Sequence, residues 1–444
     1  MKPTLTPIQR EAVSQLARKP LAILICPTGG GKTAIILHHI AAHPHHRFLI
    51  TAPPAVITHW PKEAAKWGLN LQIVPLQGTP RTRTQSIKKN PKANAYVVSL
   101  NSLTWALGAL GNKVTAVVID ELSKAPGKHS KALRQRGSAH IKHRIGMTAT
   151  PVAESFEKMY GMARIIDSGK ALGTIAHGYL NTYFRPLDFK GYRHELLPGA
   201  DTLIMEKIQH LLIDVPYSKH TSLPRKDEEE LVFTLPAATR ELYNEMKQHL
   251  LLEHTQANTA TVAVNLAVLS GKLRQLASGF SIAENGTVIE YDTKRAETAI
   301  NRILELNSQP VVVIYEYDHQ RVQLQEVAED HNVSYVSVCG GSDKDAALAA
   351  FKSNKVHLLI AQQNTLSHGV DGLQHTCSQL MFLQPLWSAD TTEQAIGRIW
   401  RQGQHNPVTI TYIVADNTLD DLVLQRVEDK AVNMRNFLKF LRGK

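Results

Sequence analysis

The sequence predicts an α/β protein made of two parallel-sheet lobes in series, with a helical stretch between them and a helix at the C-terminal end. Three observations carry that expectation. Short β-branched runs alternate with amphipathic helical stretches through the first half, the same rhythm returns in the second half, and 444 residues are too many for one ordinary hydrophobic core. In the first lobe "LAILIC", "RFLITA", "LQIVPL", "AYVVSL" and "TAVVID" read as strands. Their near-continuous apolar character suits strands covered by helices on both faces of a sheet. In the second lobe "PVVVIY", "VSYVSV", "VHLLIA", "QLMFLQ" and "VTITYIV" repeat the pattern.

From about residue 155 to 300 the texture changes to longer helical patterns such as "ATRELYNEMKQHLLLEH". The cluster "RKDEEE" at 225–230 reads as a solvated connector, because charge runs are usually solvated faces. The expected organisation is therefore an N-terminal lobe over 1–215, a connector over 216–236, and a C-terminal lobe with a helical lead-in over 237–444. The final stretch "LDDLVLQRVEDKAVNMRNFLKFL" reads as one amphipathic helix that packs back as a brace.

Composition narrows the class. An apolar content of 43% and a charged content of 20% describe a folded chain, and a net charge of +11 favours a polyanionic partner. Cys26, Cys339 and Cys377 stand alone without paired spacing, which argues against a disulfide scaffold or a structural zinc and for a reducing compartment. No signal-peptide pattern is visible and no apolar run nears the roughly 20 residues of a membrane span, so a cytoplasmic location is expected. In "HHIAAHPHHR", His39 and His43 have helical i, i+4 spacing, but no acidic or thiol ligand lies close by, so the stretch reads as a helix end and loop.

The stretch "CPTGGGKTA", residues 26–34, follows a strand and precedes the helical "AIILHHI". Gly29, Gly30 and Gly31 lack a Cβ, so the backbone can curl and aim N–H groups at an anion in front of a helix N-terminus. Thr28 completes the cradle, Lys32 is placed for the β- and γ-phosphates of ATP, and the Thr33 hydroxyl for a Mg2+ ion. Further on, "VVIDELS" puts Asp120 and Glu121 at the end of a strand, where ligands of parallel sheets bind. An aspartate there can hold Mg2+, and a neighbouring glutamate can orient and deprotonate an attacking water. The threonines of "MTATP", residues 147–151, suit a relay of the γ-phosphate state. Gln9, on the first turn of a helix in "LTPIQREAV", carries an amide that can both donate to and accept from adenine.

In the second lobe, "TTEQAIGRIWRQGQ" sets Arg398 and Arg401 three apart, which on a helix gives one face. Two guanidinium groups of fixed charge are what an arginine finger requires.

Taken in this order, "CPTGGGKT", "VVIDELS", "MTATP" and "EQAIGRIWRQGQ" resemble the motor of superfamily-two helicases. "TAPPAVITHWPKEAAKW" and "QAIGRIWRQGQ" resemble its Swi/Snf-type branch, especially compact versions carried by phages and prophages, and the similarity extends over nearly the whole chain. Two departures stand out: Cys26 replaces the usual first glycine, and D-E-L-S replaces the commoner D-E-A-H, so that Ser123 occupies the position that usually bridges to the second lobe. The resemblance assigns Gly369 and Asp371 of "SHGVDGLQ" to the nucleotide side, although this run carries an extra residue relative to the family's usual glycine-leucine-asparagine-leucine run.

The resemblance implies two tandem RecA-like lobes and a monomeric ATPase that uses Mg2+ and tracks along duplex or branched DNA. Lys32, Asp120, Glu121, Arg398 and Arg401 are its expected catalytic residues, and Gln9, Thr28, Gly29, Gly30, Gly31, Thr33, Gly369 and Asp371 complete the nucleotide set. Grips on DNA phosphates are expected at Pro53, Pro54, Ser99, Asn101, Ser367 and His368. An RNA helicase fits less well, because "EQAIGRIWRQGQ" departs from the H-R-x-G-R-x-x-R pattern of those enzymes. A silent DNA-binding adaptor would not need the intact catalytic set.

Overall fold

The computed structural model describes residues 3–125, 131–133, 140–151, 156–187, 194–216, 223–256, 268, 270–339, 344–367, 370 and 372–425. These fall into two compact units that meet in the chain between Thr221 and Ser222.

Strands of the first unit are β1 (Leu21–Ile25), β2 (Phe48–Ala52), β3 (Ile73–Pro75), β4 (Ala95–Ser99), β5 (Ala116–Ile119), β6 (His143–Thr148), a hairpin of β7 (Phe184–Pro186) and β8 (His194–Leu196), and β9 (Leu212–Asp214). Seven of them form a sheet in the order β3-β4-β2-β5-β6-β1-β9, with every neighbouring pair parallel. All five residues of β2 are buried, as a strand covered on both faces requires. The covering helices are α1 (Pro7–Arg18), α2 (Lys32–Ala42), α3 (His59–Lys66), α4 (Pro80–Lys89), α5 (Leu103–Leu110), α6 (Phe156–Asp167), α7 (Ala176–Tyr183) and α8 (Ala200–Ile208). Two apolar cores result, one including Leu49, Val98, Val117 and Ile166, the other including Leu24, Ile36, Ile50 and Met147.

The second unit contains β10 (Lys226–Phe233), a hairpin of β11 (Phe280–Ile282) and β12 (Val288–Glu290), then β13 (Val311–Tyr315), β14 (Tyr335–Val338), β15 (Leu358–Gln362), β16 (Gln379–Phe382) and β17 (Val408–Ala415). Six form a parallel sheet in the order β10-β17-β16-β13-β15-β14. Its helices are α9 (Ala237–Gln256), α10 (Lys294–Glu305), α11 (Asp318–Asp330), α12 (Lys344–Lys352), α13 (Gln363–Ser367) and α14 (Ala389–Ile399). No described helix is long and apolar enough to cross a membrane.

The charged stretch expected to be a connector is instead a strand. Lys226–Phe233 pairs with β17 from Lys226↔Val408 to Phe233↔Ala415. An edge strand tolerates charge because one side of it faces water. Glu229 is also held there, accepting from Arg302 Nη2 at 3.0 Å and Thr411 Oγ1 at 2.8 Å. Near the strand ends, buried Arg295 pairs with buried Asp420 and donates to the carbonyls of Leu383 at 2.9 Å and Ile413 at 2.8 Å. Gln384 donates to the other Asp420 oxygen at 3.0 Å, so the buried charges are compensated. The expected brace helix is helical over 419–425, and the remainder lies outside the described residues.

The histidine-rich stretch closes α2 and enters β2. His39 is fully buried, its ring 4.2 Å from that of His43, and the His46 ring is 4.1 Å from that of His143. Among the described residues, both His39 ring nitrogens are buried without a hydrogen-bond partner, while His43 Nδ1 donates to the His39 carbonyl at 2.7 Å. Burial first, then the neighbouring imidazoles, pushes His39 down to about 3. The folded form therefore keeps His39 neutral, whereas the unfolded chain takes up a proton near pH 6.5. Stability is fully present above pH 6.5 and is lost as the pH falls towards 3. We expect the urea-unfolding free energy, read from the tryptophans of the first unit, to fall by about 1.4 kcal/mol per pH unit from this residue between pH 6 and 4. His39→Phe should flatten that slope; an unchanged slope would refute the assignment.

Candidate functional site

The site begins where β1 ends. The Cys26 N–H donates to the Thr148 carbonyl at 3.0 Å, fastening the glycine loop to β6, and Gly30 N donates to Pro27 O at 3.0 Å to close a tight turn. Gly29 and Gly31 have φ of 79° and 89°, the left-handed region that side chains disfavour. A Cβ on Gly30 would lie 2.6 Å from Cys26 Sγ, and one on Gly31 would lie 2.3 Å from Gln9 Nε2. Lys32 and Thr33 then open α2, an 11-residue helix whose first N–H groups face the loop. Thr28, Lys32 and Thr33 are all half-buried. Cys26 itself is fully buried, and that burial pushes its thiol up to about 12, so it serves as a neutral plug under the loop.

Gln9 is held at both ends of its amide. Its Oε1 accepts from the Thr6 N–H at 2.9 Å in the capping box of α1, and its Nε2 donates to the Gly30 carbonyl at 2.9 Å. One N–H and one lone pair remain beyond these two bonds, so the amide braces the loop and keeps the capacity to read a base edge.

β6 lies between β5 and β1, which sets the ends of three strands side by side. Ile25 pairs with Thr148 and Ile119 with Gly146, so the glycine loop, Thr148–Thr150 and Asp120–Glu121 leave the same edge of the sheet. The Asp120 N–H donates to the Thr51 carbonyl at 2.9 Å, and its Oδ1 accepts from the Glu121 N–H at 3.1 Å. Burial, and next the charge of Glu121, pushes the Asp120 carboxyl up to about 7, with Lys32 opposing the shift. Glu121 has φ 58° and ψ 53°, a left-handed conformation uncommon for this residue type, and its carboxylate lies 3.9 Å from Lys124 Nζ. Thr150 N donates to Thr148 Oγ1 at 3.1 Å, curling the segment after β6.

Under these carboxylates, one feature had no sequence signal. Leu122 is fully buried, and a Cβ on Gly146 would come within 2.3 Å of its Cδ2, so only glycine at that place in β6 lets Leu122 seat beneath Glu121. The Ser123 hydroxyl is buried with no hydrogen-bond partner among the described residues.

In the second unit the two arginines do not share a helix face. α14 ends at Ile399, Trp400 leaves helical geometry with ψ of 83°, and Arg401 starts the following turn. The helix stops because the Trp400 indole donates to the Pro224 carbonyl at 2.9 Å and the chain then bends at Gly403, whose φ is 93°. Arg398 is half-buried on the last turn and donates from Nη1 to the Val370 carbonyl at 3.1 Å; Arg401 is half-buried as well. Gln404 organises the turn, donating to the Cys377 carbonyl at 2.8 Å and accepting from the His405 and Asn406 N–H groups at 3.0 Å each. A Cβ on Gly403 would meet His375 Cε1 at 2.8 Å. The "RQGQ" run thus encodes a turn. Gly369, Asp371 and His368 lie outside the described residues.

Of the expected phosphate grips, Pro53 and Pro54 follow β2 and Asn101 is exposed after β4. Ser99 Oγ lies 2.9 Å from Ser102 Oγ, which in turn accepts from Arg83 Nη1 at 2.7 Å. Ser367 closes α13.

A profile described as the SNF2-related domain matches residues 15–279. Protein p41 of Acyrthosiphon pisum secondary endosymbiont phage 1 is 26% identical over 431 residues, covering 90% of this chain and 91% of that protein. The RAD54-like DNA repair and recombination protein of Drosophila yakuba is 20% identical over 431 residues, covering 87% of this chain and 55% of its own length. The chain thus spans about half of that relative. Among solved structures, the helicase domain of Hef from Pyrococcus furiosus has the same fold, with a TM-score of 0.54 at 14% identity over 94% of this chain and 96% of that one.

Gly146→Ala is expected to destabilise the first unit by about 1–3 kcal/mol, through overpacking against Leu122. The double variant Leu122→Ala/Gly146→Ala should lose less than the sum of the two single variants, because the truncation removes the clash. Additive losses in urea unfolding would show that the two side chains do not oppose one another.

Proposed function

The chain belongs to the SNF2-related family, and we propose that it is an ATP-hydrolysing motor that moves along or remodels duplex or branched DNA. The single observation that best supports this is the adjacency of three strand ends in the first unit, from which the glycine loop leading to Lys32, Thr148 and Asp120 depart. The name of the RAD54-like relative, a DNA repair and recombination protein, supports DNA as the track.

The residues fit a magnesium nucleotide. The glycine loop has no room for side chains at Gly30 and Gly31, and it lies before a helix N-terminus beside a buried carboxyl group. In our reading the loop N–H groups and Lys32 hold the phosphates, and Thr33 and Asp120 would hold Mg2+. The ion, when bound, would neutralise charge on the phosphate oxygens and lower the barrier to transfer of the γ-phosphoryl group to water. Lys32 acts against the upward pull of burial and Glu121 on Asp120, and a cation bound beside the carboxyl would hold it ionised. Glu121, fixed in its left-handed turn with Lys124 nearby, orients a water and takes its proton. Arg398 and Arg401 supply guanidinium charge to the γ-phosphate when the units close on nucleotide, so that hydrolysis drives opening and closing on DNA phosphates.

ATP turnover measured side by side with single-stranded, duplex and branched DNA and with single-stranded RNA tests the proposal. We expect duplex or branched DNA to stimulate most. Glu121→Gln should lower stimulated turnover by about 10²- to 10⁴-fold, and Arg401→Ala by roughly 10³-fold. Stimulation by RNA alone would point instead to an RNA helicase, and wild-type turnover in either variant would remove the role given to that residue.

A further inference from the structure

Residues 64–119 contain seven lysines and arginines and no aspartate or glutamate, although the whole chain has 39 acidic residues. Helix α4 lies at the centre of this acid-free stretch. It follows β3, the edge strand of the first sheet, five strand positions from β1. At roughly 4.8 Å per strand, it stands about 24 Å across the sheet from the glycine loop. It is a surface separate from the candidate nucleotide site.

The packing of α4 decides which of its charges face water. Ile87 is its one buried residue. Arg83 is committed to the protein, donating to Ser102 Oγ at 2.7 Å with its guanidinium 5.5 Å from the Trp105 ring centroid. Those two residues pin the helix. Arg81, Lys88 and Lys89 point outward and are exposed, Lys92 continues the face just past the helix, and none of the four has an ion pair among the described residues. The hydroxyls of Thr84 and Ser86 donate to the helix's own carbonyls, at 2.8 Å to Pro80 and 3.2 Å to Thr82. What remains is a row of cations with no apolar anchor for a membrane or a protein hot spot and no free group arranged to read a base.

We propose that the outer face of α4, carried by Arg81, Lys88, Lys89 and Lys92, is a sequence-independent docking surface for the phosphate backbone of duplex DNA, auxiliary to the motor's own grip. This rests on the proposed function above, which names DNA as the track. The charge match supports it: a helix of 10 residues is about 15 Å long, and a duplex carries one negative charge per ~1.7 Å of axis. The contact holds the track close without touching the nucleotide. It sets affinity and its salt dependence and leaves the chemical step alone.

The test replaces Arg81, Lys88, Lys89 and Lys92 together by glutamine, against a control with the exposed Lys142, Lys170, Lys207 and Lys355 replaced in the same way. Duplex affinity is measured by fluorescence anisotropy across a salt series, and ATP turnover is measured with and without DNA. We expect the α4 variant to bind duplex at least about tenfold more weakly at low salt. Its slope of log affinity against log salt should be shallower by about 2–4, from ~0.9 per lost phosphate contact. Its turnover at saturating DNA should match the wild type. Unchanged affinity and slope in the α4 variant, with wild-type DNA stimulation intact, would overturn the docking surface alone. An equal loss in the control set would assign the effect to net charge and overturn it too. A preferential loss of single-stranded RNA or anionic-vesicle binding, measured in parallel, would overturn the assignment to duplex. If the wild type neither binds nor is stimulated by DNA, the proposed function fails, and the docking surface with it.

Discussion

The first unit depends on β6 lying between β5 and β1. Parallel pairing fixes the register of all three strands, so their carboxyl ends fall on one line and everything that leaves them meets there. The bond from Cys26 N to Thr148 O extends that pairing one residue past the end of β1, up to the point where the glycine loop departs. Without it the start of the loop would lose its hydrogen bond to β6, leaving the brace from Gln9 to the Gly30 carbonyl and the continuation into α2. With it, the backbone that enters the glycine loop and the backbone that carries Thr148 belong to one rigid ladder. Asp120 joins the same ladder through its N–H to Thr51, so the carboxylates are placed by main-chain geometry before any side chain chooses a rotamer.

That explains where strain and burial are tolerated. Glu121 adopts a left-handed conformation at a cost that a glycine would avoid. It is held there because Leu122, seated against Gly146, pulls the next residue into the core. Asp120 is kept close to a proton by burial and by Glu121, and the charge of Lys32 acts against both. A carboxyl group poised in this way responds strongly to any cation placed beside it, whereas a fully solvated one would barely respond. Cys26 contributes by being inert: a buried neutral thiol fills the space under Gly30 without adding a charge there.

Much of this was legible in the sequence because it depends on local pattern. The ten strand segments named from apolar runs correspond to β1 to β5 and β13 to β17, and the glycine loop, Asp120–Glu121 and "MTATP" sit at strand ends as their spacing implies. What escaped depends on contacts distant in sequence. β9 and β10 are too short or too charged to read as strands, and they exist because β1 and β17 offer an open parallel edge. Arg401 reads as helical by its spacing from Arg398, yet the indole of Trp400 finds Pro224, 176 residues away, and the helix ends. Gln404 looks like one polar residue among several, and only its three bonds across the turn reveal its role. Gly146 reads as an ordinary weak point in a strand until Leu122 is seen against it.

The second unit solves a related problem with different chemistry. Its central strands β13, β16 and β17 end near a buried Arg295–Asp420 pair, where the guanidinium bridges the carbonyls of Leu383 and Ile413 and Gln384 caps the remaining carboxylate oxygen. Such a cluster binds the strand ends to Ala277 and to the helix that starts after Asn417, so the edge from which α14 follows cannot fray independently. An apolar plug could stabilise the core as well, but it could not satisfy the Leu383 and Ile413 carbonyls at the sheet or the Ala277 carbonyl at the preceding turn. Each unit thus keeps its strand ends rigid, the first with backbone hydrogen bonds around a glycine loop and the second with a compensated ion pair. Rigid ends carry a displacement at the strand edge into the whole sheet of each unit, where loose ends would let the loops absorb it.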